Sequence, residues 1–107
     1  YEKAYAIIKN YPQADTNNMA IIGYCFGGSM ALEIARIGER LNGVVSFHGG
    51  LSGKIPQKDL LKAKVLVCHG ADDQFVKKEE VDLFAGYFLV PYWLFYVLAS
   101  EMSQNNC

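Results

Sequence analysis

Apolar residues recur along this chain in short blocks divided by polar turns. Tyr1, Ala4, Tyr5 and Ile8 fall at helical spacing and predict an amphipathic helix over the first ten residues, ending before Pro12. The polar stretch 13–18, rich in Asp and Asn, reads as a turn. Met19-Ala20-Ile21-Ile22-Gly23 is then a short buried strand, and past a glycine-rich corner Met30, Ile34 and Ile37 restore helical spacing over 29–37. Gly38 is placed to cap that helix. Residues 43–47 predict a second strand, 51–62 a loop with Gly53 and Pro56 that closes in a short helical turn, and 64–68 a third strand. The third strand is apolar without alternation, the pattern of a strand covered on both faces. A further helix begins at Lys77 and runs through Phe84.

Strands separated by helices imply a parallel sheet with right-handed crossovers. Three strands make a poor sheet by themselves, so the pattern predicts part of a larger α/β domain. The 107 residues allow one domain at most. Apolar residues make up 51% of them, which excludes disorder. Ten basic against eleven acidic residues leave a net charge of −1, and nothing in that balance attracts a polyanion such as a nucleic acid. The three cysteines are widely spaced, with neither a C-x-x-C nor a Cys/His pairing of zinc type. A disulfide scaffold and a structural metal are therefore not expected, and a reducing, cytoplasmic setting is. The N-terminus has no signal-peptide pattern and does not begin with Met, so the chain is expected to start partway through something longer. The apolar run 87–99, interrupted by Pro91, is shorter than the ~20 residues a membrane span needs.

The chemistry is concentrated at the glycine-rich corner, Gly23-Tyr24-Cys25-Phe26-Gly27-Gly28. A turn this tight from buried strand to helix needs glycines beside its tip, and it forces the tip residue into a strained conformation with its side chain exposed. This is the pattern of a nucleophile elbow with Cys25 as nucleophile. The helix N-terminus beneath the thiol favours the thiolate. The amide of Phe26 is placed to donate to a developing oxyanion. Two blander accounts compete: a small buried cysteine in a glycine-rich turn, and a phosphate loop. The second fails because Cys25 stands where G-x-G-x-x-G needs its second glycine.

A second constellation, His69-Gly70-Ala71-Asp72-Asp73, ends the third strand, on the same rim of the sheet as the corner. A carboxylate there can orient a histidine for proton transfer; alternatively, the two aspartates cap the next helix. Ligand spacing for a metal is absent from this group. Cys68 reads as a small core residue and Cys107 as a terminal thiol.

With these residues in place, the stretches 21–28, 44–50 and 65–73 resemble the dienelactone hydrolase family, α/β-hydrolases with a Cys-Asp-His triad. The likeness runs in register from about Asp15 to Phe84, with the G-Y-C-F-G-G corner its most specific part. It implies a fragment of an α/β-hydrolase sheet over 1–86 and a non-matching aromatic tail over 87–107. It puts the nucleophile on Cys25 and the acid on Asp73, through the alignment of Gly70, Asp73 and Val76. It also implies cleavage of a small ester or lactone without metal or cofactor. Two departures follow. The family has further strands before the corner, including a loop that carries a second oxyanion donor. Its triad histidine lies after the acid, whereas no histidine follows His69 here. His48 and His69 both end strands, but the resemblance uses neither as base. The chain alone is therefore expected to lack the base, and to self-associate through its aromatic tail. The rival expectations are a catalytically silent chain that serves assembly, and a membrane-surface protein anchored through 87–99.

Overall fold

Seven elements follow one another: α1 (Glu2–Ile8), β1 (Ala20–Tyr24), α2 (Phe26–Arg36), β2 (Gly43–Phe47), β3 (Lys64–Gly70), α3 (Lys78–Phe88) and β4 (Leu94–Ala99). The computed structural model describes residues 1–55, 59–88 and 94–99, and for 87, 88 and 94–99 the course of the backbone alone. Pro56, Pro91 and Cys107 lie outside the described residues. All strand pairs are parallel, and the sheet runs in the order β1-β2-β3-β4.

The three strands expected from the apolar blocks form, β2 with the expected bounds. A fourth, β4, arises within the segment read as an aromatic tail, where Leu94 to Ala99 pairs along β3 from Val65 to Gly70. Parallel strands need a crossover of a dozen or more residues, and the one between β3 and β4 contains α3. The link from β2 to β3 carries no helix among the described residues, only a turn at 59–60.

Burial explains the registers. Val44 and Ser46 on β2, and Val65, Val67 and His69 on β3, are buried, while their alternating neighbours are half-buried or exposed. The sheet is thus covered more deeply on one face than the other, unlike the even cover expected from the run at 64–68. Ala31, Leu32 and Ala35 of α2 and Phe84 of α3 complete that core. A one-residue slip of either strand would move the whole buried set to the shallower face, which is what fixes the pairing.

α2 begins three residues earlier than its apolar spacing predicts, because the glycines of the corner are already helical. It ends as expected. Ile37 is the C-cap, and Gly38 follows at φ 83°. The Gly38 and Glu39 N–H groups return to the carbonyls of Ala35 and Ile34, a Schellman closure that requires a left-handed residue at Gly38. Arg36, buried in the last turn, donates to the carbonyls of Leu51 (2.7 Å) and Ser52 (3.3 Å) and pairs with Glu33. It thereby ties the loop after β2 to α2. No helix among the described residues is long and apolar enough to cross a membrane.

Candidate active site

The carboxyl rim of the sheet brings three separate stretches into one row. Tyr24 pairs with Phe47 and Phe47 with Cys68, so the next rung along the rim holds Cys25, His48 and His69. Two ladder bonds close that rung: Cys25 N–H donates to the Phe47 carbonyl (2.9 Å) and His48 N–H to the Cys68 carbonyl (3.0 Å). Neighbouring parallel strands lie ~4.8 Å apart, so these residues start from adjacent backbone positions.

Cys25 is exposed and stands at the turn between β1 and α2 with φ 51° and ψ −120°. A non-glycine residue held there stores about 1–3 kcal/mol of strain that the surrounding structure must impose. The imposing contacts are between backbones. A Cβ on Gly23 would fall 2.1 Å from the Gly27 carbonyl oxygen, and one on Gly28 would fall 3.2 Å from the Gly23 carbonyl oxygen and 2.6 Å from Ser46 Oγ. Glycine at 23 and 28 thus lets strand and helix close on each other. Gly27 has open space where its Cβ would be, so it is not part of that closure. The first intrahelical bond of α2 runs from Ser29 N–H to the Cys25 carbonyl at 3.2 Å. The N–H groups of Phe26, Gly27 and Gly28, ahead of it, have no acceptor within the helix. Phe26 itself is exposed.

Of the two adjacent aspartates, Asp72 is exposed and Asp73 is turned inward with its side chain 6% exposed. Asp73 Oδ1 accepts from Phe75 N–H at 2.8 Å, and Oδ2 lies 2.5 Å from His48 Nδ1 and 3.8 Å from His69 Nδ1. Burial alone pushes this carboxyl up. The Phe75 N–H and the His48 and His69 rings together outweigh burial and hold it below its ordinary value. His69, 2% exposed, is shifted the other way from an ordinary histidine-carboxylate partner. Desolvation lowers it, and the opposing pull of Asp73 is too small to restore it.

Asp73 therefore has an imidazole partner within this chain, which the order of residues along the chain does not suggest. His48 leaves β2 in a left-handed conformation, φ 54°, and keeps its side chain 24% exposed, with the ring of Phe75 edge-on to it at 6.2 Å. The glycines behind it hold the loop against α2. A Cβ on Gly49 would meet the Gly28 carbonyl carbon at 2.7 Å, and Gly50 N–H donates to Ser29 Oγ at 2.8 Å. The available signal for His48 was its position at the end of the second strand, one step past the residue opposite Tyr24. It becomes informative only once the strand registers are known. Cys68, half-buried in β3, stands on the preceding rung and has no place in the row. Among the described residues no group of three His, Cys, Asp or Glu is placed to hold a metal ion.

The chain resembles other proteins both in sequence and in fold. An uncharacterized protein of Caenorhabditis elegans is 35% identical over 86 residues, covering 78% of this chain and 54% of its own length. Two solved structures each match 92% of this chain. One is m3DLH (TM-score 0.82, 36% identity); the other is a dienelactone hydrolase-like promiscuous phosphotriesterase from metagenomic libraries (TM-score 0.83, 34% identity). The chain spans about half the length of the worm relative and 42% of each solved structure. Residues 1–89, which include both the strained corner at Cys25 and the carboxylate at Asp73, match the dienelactone hydrolase family, and the chain belongs to that family.

Proposed function

We propose that this protein is a hydrolase that cleaves a carboxylic ester or lactone through a Cys25 thioester. The observation that carries the reading is the backbone of Cys25: φ 51° at an exposed thiol, imposed by the close approach of Gly23 to Gly27, at the N-terminus of an eleven-residue helix. Strain of this kind at a nucleophile aims the side chain out of the sheet, and the next amide, that of Phe26, opens α2 with no acceptor within the helix. In the reaction Cys25 Sγ attacks the carbonyl carbon, and the Phe26 N–H stabilises the tetrahedral oxyanion. Collapse of that intermediate breaks the C–O bond, and the alcohol leaves carrying the proton given up by the thiol; the acyl group stays on sulfur until water attacks it, giving the acid and restoring the thiol. Asp73 acts through an imidazole by holding its tautomer and balancing its charge. The chemistry calls for no metal or cofactor, and the need for a reduced thiol supports a cytoplasmic setting.

The test is acylation by an activated acetate ester, followed as product release and as a mass increase on the Cys25 peptide. The expected result is acetylation confined to Cys25 and lost in Cys25→Ala. Acetylation spread equally over Cys25 and Cys68 would sink the reading. Because one similar structure is a promiscuous phosphotriesterase, an aryl phosphate triester belongs in the same substrate panel.

A second reading is an assembly role without catalysis. It is favoured by β1, which ends the sheet with one edge unpaired among the described residues and exposes Ile22 and Tyr24. Under that reading Cys25→Ala leaves partner capture intact and no ester is turned over.

A further inference from the structure

We propose that the Asp73 carboxylate is a two-position latch: His48 holds its Oδ2 while His69 is neutral, and His69 takes that oxygen when its buried ring gains a proton. The latch makes the carboxyl rim of the sheet sensitive to acid, with His48 released as the outcome. It goes beyond the hydrolase reading and does not need it, because no step involves Cys25.

Geometry carries it. Two ring nitrogens compete for one oxygen: Asp73 Oδ2 lies 2.5 Å from His48 Nδ1 and 3.8 Å from His69 Nδ1. The second distance is beyond hydrogen-bond reach, so one ring is served at a time. Nδ1 of His69 is buried and has no hydrogen-bond partner. It is therefore the bare nitrogen of a neutral ring, and the position that a second proton occupies. The two rings also differ in their access to water. The His69 side chain is 2% exposed and that of His48 is 24% exposed. A charge on His69 has no water to solvate it and must be paired, whereas His48 can exchange the carboxylate for water.

The moving part is the carboxylate. His69 is held in β3, opposite Leu98 of β4, while Asp73 stands in the turn that follows. Asp73 Oδ1 accepts from Phe75 N–H at 2.8 Å, so Oδ2 can swing about that anchor. A swing of about 1 Å brings Oδ2 within reach of His69 and takes it out of reach of His48. The titratable groups acting on His69 are Asp73, His48 at the end of β2 and Glu80 on α3. The two carboxylates favour its charge, and His48 opposes it. Burial outweighs the carboxylates and lowers the His69 pKa from 6.5, so the latch is at rest above that value and turns over below it.

The experiment is imidazole NMR on the nitrogen-15-labelled 107-residue chain, whose two histidines are followed as pH falls from neutral through 6.5 and below. A His48→Gln sample assigns the two rings. In the wild type, His69 Nδ1 should change from a bare to a protonated nitrogen in one step below pH 6.5. In that same step the downfield proton of the His48–Asp73 bond should lose at least about nine-tenths of its intensity, a tenfold bias between the two positions. In His69→Gln that signal should persist across the range. A His48 signal that survives the protonation of His69, or that fades equally in His69→Gln, overturns the latch. Loss of amide dispersion before His69 titrates overturns it too, since the charged ring then has no folded state in which to act. The wild-type titration is decisive by itself where His69→Gln does not fold. No ester is turned over in any arm, so the result is independent of the role of Cys25.

Discussion

Two thiols of the described chain differ in everything that governs reactivity. Cys25 is exposed at a helix N-terminus, where the partial positive charge of unpaired N–H groups stabilises a thiolate, whereas Cys68 is half-buried within β3. Limiting iodoacetamide should therefore label Cys25 well before Cys68 in the folded protein, as read from tryptic peptides; first labelling at Cys68 would contradict the elbow. The adjacent aspartates are separated in the same way. Asp73 is bound to His48 and to the Phe75 amide, while Asp72 is exposed. Asp73→Asn keeps the shape but loses the charge that balances an imidazolium, so Cys25 acetylation should fall by about 10²–10⁴-fold. Asp72→Asn should change it by less than about threefold, well short of that range.

At the scale of elements, the strand-to-helix closure makes unequal demands on glycines that look alike in the sequence. An added Cβ at Gly23 meets backbone that can yield only if α2 moves, whereas at Gly27 it meets nothing within 4 Å. Gly23→Ala should therefore lower stability by at least about 2 kcal/mol, the scale of overpacking in a rigid interior. Gly27→Ala should be neutral or slightly stabilising, because alanine is the better helix former. Urea unfolding of the two variants beside the wild type checks this pair. Equal losses would mean that the corner is looser than the contacts describe. The Gly49 loop belongs to the same closure, so the helix N-terminus, the Cys25 turn and the His48 turn form one packed unit rather than three independent loops.

For the whole molecule, the rim group couples acid–base chemistry to stability. His69 is buried and its pKa is lowered from 6.5, chiefly by desolvation, with Asp73 and Glu80 opposing and His48 reinforcing the shift. Between the lowered value and 6.5 the unfolded chain binds a proton that the folded chain refuses. This stability is fully present above pH 6.5 and is lost as pH falls through the folded value. Asp73, held below its ordinary 3.8, contributes in a lower window: its share is present above 3.8 and is lost as pH falls through its folded value. Unfolding free energy measured between pH 7.5 and 5 should decline, and His69→Gln should flatten that decline. An unchanged slope in the variant would assign the loss to other groups.

What could be read along the chain was local. The apolar block at 43–47 gave β2 its bounds because a five-residue strand between glycine and a turn needs no distant partner to be recognised. Cys25 was legible because its strain is written in the flanking glycines, and Gly38 because a helix end demands a left-handed residue. The choice of Asp73 over Asp72 came through resemblance; of the two, Asp73 is turned inward against His48 and Asp72 is exposed. Long-range pairing decided the rest. β4 was hidden in an aromatic run whose periodicity fits several elements, and its backbone becomes a strand only against β3. His48 lies 23 positions after Cys25 and 25 before Asp73, and nothing in either interval shows that the three converge. Parallel registers set by burial of Val44, Ser46, Val65 and Val67 bring them to one rim, because one residue of slip would bury the opposite face. The strained turn at Cys25 was thus determined by the sequence near it, and the histidine beside Asp73 by the packing of the whole sheet.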